Sequence, residues 1–64
     1  MDLIGNDKLV TVTEVAEMLS VPVSWIYDHT RARGLQRIPH VKLGKYLRFD
    51  VHAVRTWVTN FQEN

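Results

Sequence analysis

"VKLGKYLRF", residues 41–49, is the stretch that decides how this chain folds. Apolar Val41, Leu43, Leu47 and Phe49 alternate with Lys42, Lys45 and Arg48 around a single glycine, Gly44. Period-two alternation on both sides of a two-residue Gly-Lys step is the pattern of a tight β-hairpin. "HVKL" and "YLRF" supply the strands, and Gly44-Lys45 supplies the turn, with cations at its tip.

Helical stretches stand on either side. Upstream, "TVTEVAEMLS" opens with Thr11 three residues before Glu14, the spacing of a capping box. Val10 and Val15 are placed to form the accompanying hydrophobic staple. Val12, Val15, Ala16 and Leu19 share one face, and the helix is expected to stop near Ser20. "SVPVSWIYDHTRARG" then reads as a turn and a second helix, with Pro22 at the first helical position and Gly34 as the C-terminal cap. Val21 and Ile26 turn towards the first helix, leaving Ser24, Asp28 and Arg31 on the wet side with Tyr27 beside them. A break of about three residues between two helices is that of a helix-turn-helix. Pro39 removes a donor just before the hairpin. Downstream, Asp50 is expected to cap a third helix from Val51 to about Phe61, with Val51, Val54, Trp57, Val58 and Phe61 at helical spacing.

The fold expected is therefore mainly α with a short β-hairpin: a winged helix-turn-helix in the order helix, helix, wing hairpin, helix. Residues 9–61 form its single domain, with 1–8 loosely ordered and 62–64 fraying. The core should hold Val12, Val15, Ala16, Leu19, Val21, Ile26, Leu43, Leu47, Phe49, Val54, Trp57 and Val58. Trp25 is expected against the hairpin, with DNA contact or a partner surface as alternatives.

Sixty-four residues allow one modest core, and the chain has no cysteine for a disulfide or a thiolate zinc site. No apolar run reaches the length of a membrane span, and "MDLIGNDK" does not read as a signal peptide. His29, His40 and His52 lack metal-ligand spacing, and no glycine-rich phosphate loop or nucleophile pattern is present. A domain of this size has little room for a substrate pocket beside its core, so no enzyme, metal or cofactor is expected.

The formal charge of +1 conceals a sharp division. Residues 1–29 carry five acids, Asp2, Asp7, Glu14, Glu17 and Asp28, against Lys8. From Thr30 to Phe49 the only charged side chains are Arg31, Arg33, Arg37, Lys42, Lys45 and Arg48. A block of one sign marks either a solvated face or a polyanion site. Joined to a helix-turn-helix and a hairpin, it favours duplex DNA: an α-helix fills the major groove, and a hairpin tip carries cations to a second contact. Aromatic Tyr46 has two uses open to it, stacking on a sugar or packing across the strands.

"LVTVTEVAEMLSVPVSWIY" resembles the opening of phage excisionase and MerR-like winged-helix domains, whose first helix often reads T-x-x-E-x-A-x-x-L before a V-[ST] turn. "VKLGKYLRFDVHAVRTWV" resembles their wing and the acid-capped helix after it, so the resemblance spans Leu9 to Val58. It implies that the second helix reads the major groove through Val23, Ser24, Tyr27, Asp28 and Arg31. It also implies wing contacts from Lys42, Gly44, Lys45, Tyr46 and Arg48. Arg31, Arg33 and Arg37, which follow the second helix, read from the sequence itself as phosphate clamps or as ordinary solvated side chains, Arg37 being the readiest to stay idle. Pro22 stands where the family often has Ser or Thr. Asp28 stands at an often basic position, where it would accept from a cytosine amino group.

By this resemblance the protein is an excisionase that binds and bends phage attachment-site DNA so that an integrase favours excision. The partners implied are duplex DNA, the integrase and neighbouring copies on DNA, in the cytoplasm of a bacterial host and at its nucleoid. The free protein is expected to be monomeric and away from membranes. MerR-like regulators carry a long dimerisation helix that this sequence lacks, which favours excisionase over a small transcriptional regulator of the same fold. A protein-docking module is the reading from a different class.

Overall fold

The structure, a computed structural model, describes residues 9–61. The expectations for 1–8 and 62–64 lie outside the described residues. Three helices and three short strands follow the order β1 (Leu9–Val10), α1 (Val12–Leu19), α2 (Val23–Thr30), β2 (Val41–Leu43), β3 (Tyr46–Asp50) and α3 (Val51–Asn60). A 3-10 turn, Gly34–Gln36, lies between α2 and β2. Among the described residues no helix is long and apolar enough to cross a membrane.

Helix α1 begins as the capping-box spacing requires. The Glu14 N–H donates to Thr11 Oγ1 at 3.2 Å, and the Thr11 N–H donates to Glu14 Oε1 at 2.8 Å. Two of the four orphan donors at this end are thereby satisfied. Replacing Thr11 by alanine is expected to cost about 1 kcal/mol, a fall of roughly 5 °C in Tm. A thermal melt followed by circular dichroism checks this, and an unchanged midpoint would show that the box contributes nothing.

The helix ends on Ser20, held in the left-handed region at φ 58°. Val21 N–H then donates back to the Ala16 carbonyl at 3.0 Å, closing a six-residue turn that reverses the chain. Residues 20–22 alone separate α1 from α2. Pro22 is the N-cap of α2 rather than its first helical residue, with extended backbone at φ −68° and ψ 154°.

Two further expectations for this region are corrected. Helix α2 stops at Thr30, capped by Arg31, and Gly34 does not cap it. Gly34, at φ 61°, instead opens the 3-10 turn, where its carbonyl accepts from the Arg37 N–H at 3.1 Å. The connector then returns to the core through Ile38, fully buried, whose N–H donates to the His29 carbonyl at 3.0 Å. That bond and that side chain pin the connector to the end of α2. Trp25 packs away from the hairpin: its ring stacks on His29 at 3.7 Å and meets Trp57 and Phe61 edge-on at about 6 Å. The reason is helical spacing, because Trp25 and His29 lie one turn apart on the face that α3 covers.

The sheet has three strands in the order β1-β3-β2, all antiparallel, so the wing hairpin carries a third strand not anticipated from sequence. Leu9 pairs with Asp50 and Val10 with Phe49, anchoring the domain's start to the end of β3. At the hairpin tip, Leu43 pairs with Tyr46 across Gly44-Lys45, and Gly44 has φ 64°. A two-residue loop with a left-handed first residue favours glycine there. This register corrects the core assignment of Leu43. Opposed residues share a face, so Leu43 lies with Tyr46, while Leu47 and Phe49 occupy the other face of β3. Leu43 is 49% exposed and Phe49 is fully buried.

Val15, Ala16, Ile26, Ile38, Phe49 and Val54 make the buried core. Val10, Val12, Leu19, Val21, Val23, Trp25, Leu47 and Trp57 pack around it half-buried. Val58, expected inside, is 41% exposed. It lies one turn beyond Val54, while its neighbour Trp57 takes the inward position against Trp25. Asp50 caps α3 as expected, accepting from the His52 and Ala53 N–H groups at 2.9 and 3.2 Å.

Candidate nucleic-acid interface

Between α2 and the wing lies an open groove of about 590 Å³. Tyr27, Thr30 and Arg31 come to it from α2, Arg37 and His40 from the connector, and Thr11 and Val12 from the start of α1. The hairpin supplies Lys42, Lys45, Tyr46, Leu47 and Arg48. Among the described residues its lining includes the cations Arg31, Arg37, Lys42, Lys45 and Arg48 and no carboxylate. Cations gathered in one concavity raise the local concentration of an anion and speed its arrival, and Asp28, the partner of Arg31, stands outside the lining.

The fold delivers these groups in a fixed arrangement. Ile26 buries one side of α2 and so turns Ser24, Tyr27, Asp28 and Arg31 outward as exposed residues. Asp28 Oδ1 accepts from Arg31 at 3.1 Å, a pair about two-thirds exposed on both sides and therefore of little weight in stability. It orients the guanidinium instead. On the wing, Lys45 Nζ and Arg48 Cζ stand 5.6 and 5.4 Å from the centre of the Tyr46 ring. These cation–π contacts hold the exposed ring between two charges. Arg48 Nη1 also donates to the Leu47 carbonyl at 2.8 Å, and Thr30 Oγ1 to the Tyr27 carbonyl at 2.7 Å.

The residues singled out in the sequence divide by position. Tyr27, Arg31, Arg37, Lys42, Lys45, Tyr46 and Arg48 are brought together in the groove. Ser24 and Asp28 are exposed on α2 outside its lining, Arg33 is exposed beyond it, and Gly44 forms the hairpin tip. Val23 is half-buried against the core. Thr11, Val12, Thr30, His40 and Leu47 line the groove without having been singled out for it. His40 was legible in part, since it directly precedes the wing inside the all-basic segment.

The arrangement suits phosphodiester chemistry. Guanidinium and ammonium groups meet phosphate oxygens, the Tyr27 and Tyr46 phenols add neutral donors, and an outward helix face beside them offers side chains to base edges. Among the described residues no group of three or more His, Cys, Asp or Glu side chains is placed to hold a metal. No curated protein and no solved structure matches the chain. The sequence profile of the helix-turn-helix domain matches residues 9–61, which include both helices, the turn between them, the wing and α3. The chain belongs to the helix-turn-helix domain family, a DNA-binding family.

Proposed function

We propose that this protein binds duplex DNA at specific sequences and acts as an excisionase, bending attachment-site DNA so that an integrase favours excision. The observation that carries the DNA reading is the single-signed groove between α2 and the wing. Helix α2 enters the major groove, where Ser24, Tyr27 and Asp28 approach base edges. With Oδ1 engaged by Arg31, Asp28 keeps a second oxygen for a cytosine amino group. Arg31, Arg37, Lys42, Lys45 and Arg48 take phosphates, and Gly44 lets the wing tip approach the backbone or the neighbouring minor groove closely. Tyr46 stacks on a sugar, Arg33 reaches a flanking phosphate, and Val23 sets the depth of the helix through its packing.

The recombination role is supported by the resemblance of residues 9–58 to excisionase domains. It brings with it an integrase partner and copies arrayed on DNA, with the free protein monomeric and the site of action at a bacterial nucleoid. Bending of the duplex would let a domain of this kind act by shaping DNA and touching a neighbour.

Repeated selection of random duplexes on the purified protein near physiological salt, followed by sequencing, tests both levels. The expected result is an enriched motif recurring as direct repeats at fixed spacing. A palindrome or a lone site would point to an operator-binding regulator instead. Absence of any enriched motif, with weak salt-sensitive retention, would overturn site-specific binding by this domain.

A further inference from the structure

His40 sits where the connector enters the wing, half-buried, with its ring 6.3 Å from that of Phe49. Its Nδ1 lies 2.8 Å from the Ile38 carbonyl oxygen. A carbonyl only accepts, so Nδ1 carries the hydrogen in this contact, and Nε2 is left as the ring nitrogen available to the groove that His40 lines. Neutral, Nε2 has no proton to offer a phosphate. Protonated, it becomes a further charge-assisted donor.

Arg31 and the Tyr27 phenol face the same groove from α2, Arg37 from the connector, Lys42 from β2, and Lys45, Tyr46 and Arg48 from the turn and β3. Of the carboxylates on neighbouring elements, Asp28 pairs with Arg31, Glu14 with the backbone and hydroxyl of Thr11, and Asp50 with the first N–H groups of α3; neither these nor the exposed Glu17 line the groove. A phosphate oxygen held at Nε2 favours the imidazolium, the only form of the ring that can donate from that nitrogen once Nδ1 is bound to the Ile38 carbonyl.

We infer that His40 is a phosphate-contacting residue that takes up a proton when duplex DNA fills the groove, so that DNA binding strengthens as pH falls. This rests on the DNA reading above. The sign follows from linkage: the bound state holds more protons than the free state, so the association constant drops as pH rises. An unperturbed imidazole changes charge between about pH 5 and pH 8, and one added charge-assisted contact gives an expected loss of about fivefold in affinity over that span.

The test is fluorescence anisotropy of a labelled mixed-sequence duplex at constant ionic strength, from about pH 6 to pH 8, with wild type, His40→Gln and His52→Gln. His52 is exposed on the first turn of α3 and does not line the groove, so its variant should follow wild type. His40→Gln should bind like wild type at the alkaline end and show a flat profile below it. Circular dichroism at each pH confirms that all three chains are folded. Equal slopes for wild type and His40→Gln would overturn the inference while leaving DNA binding intact. Failure of wild type to bind at any pH would overturn the DNA reading and the inference with it.

Discussion

Duplex affinity is expected to fall about thirtyfold when Arg31 and Lys45 are both replaced by alanine, roughly 1 kcal/mol for each lost phosphate contact. The two residues come from opposite walls of the groove, α2 and the hairpin turn, so the double variant weakens both handholds. Each neutralised phosphate releases condensed counterions, and the slope of log affinity against log salt should become shallower by about two. Neither side chain supports the core, and among the described residues the only ion pair lost is the exposed one between Arg31 and Asp28, so the melting temperature should hold. Arg55→Ala is the matched control, since Arg55 is exposed on α3 and does not line the groove. Titrations at several salt concentrations read out all three chains. If the double variant and Arg55→Ala bind alike, with equal salt slopes, the groove is not the DNA surface, and protein docking becomes the better reading.

What the sequence disclosed was local. The capping box at Thr11 and Glu14, the cap at Asp50 and the Gly44-Lys45 turn are all set by residues within a few positions of each other, and each stands where it was read. Ile38 escaped because it is a single apolar residue between Arg37 and Pro39, with no period around it to reveal a buried face. Strand β1 escaped because Leu9 and Val10 become a strand only by pairing with Asp50 and Phe49, about forty residues away. Leu43 was misplaced because two-residue hairpins flip parity: a run that alternates on each side of the turn need not keep both apolar sets on one face.

The groove shows the same division. Tyr27 and Arg31 on α2 and the cations of the wing were legible from spacing and charge. Thr11 and Thr30 were not, and His40 only in part, because proximity across the groove is a tertiary fact. Of Arg33 and Arg37, the basic run marks Arg37 as the readier to be idle. The 3-10 turn between them separates their positions, bringing Arg37 into the groove and leaving Arg33 outside it.

Phe49→Ala is expected to abolish folding, and through it DNA binding. Phe49 is fully buried, pairs with Val10 on β1, and occupies the core face of the strand that carries half of the wing. Truncating a buried phenylalanine removes about 3–5 kcal/mol, and a core of this size supplies only about 3–5 kcal/mol in total. The loss therefore matches the whole stability rather than a fraction of it. The site goes with the core, because Asp50, the next residue, caps α3, and Arg48, the one before, lines the groove. Phe49→Leu keeps most of the apolar volume and should lose only about 1 kcal/mol, giving a folded chain with a lower Tm. Saturating duplex should raise that Tm again, since a ligand held at about 100 times its Kd stabilises the native state by about 2.7 kcal/mol. Thermal melts with and without DNA separate the cases. A Phe49→Ala chain that still melts cooperatively near the wild-type midpoint would mean that β1 and α3 hold the wing without this ring, and that the groove is built independently of the core beneath it.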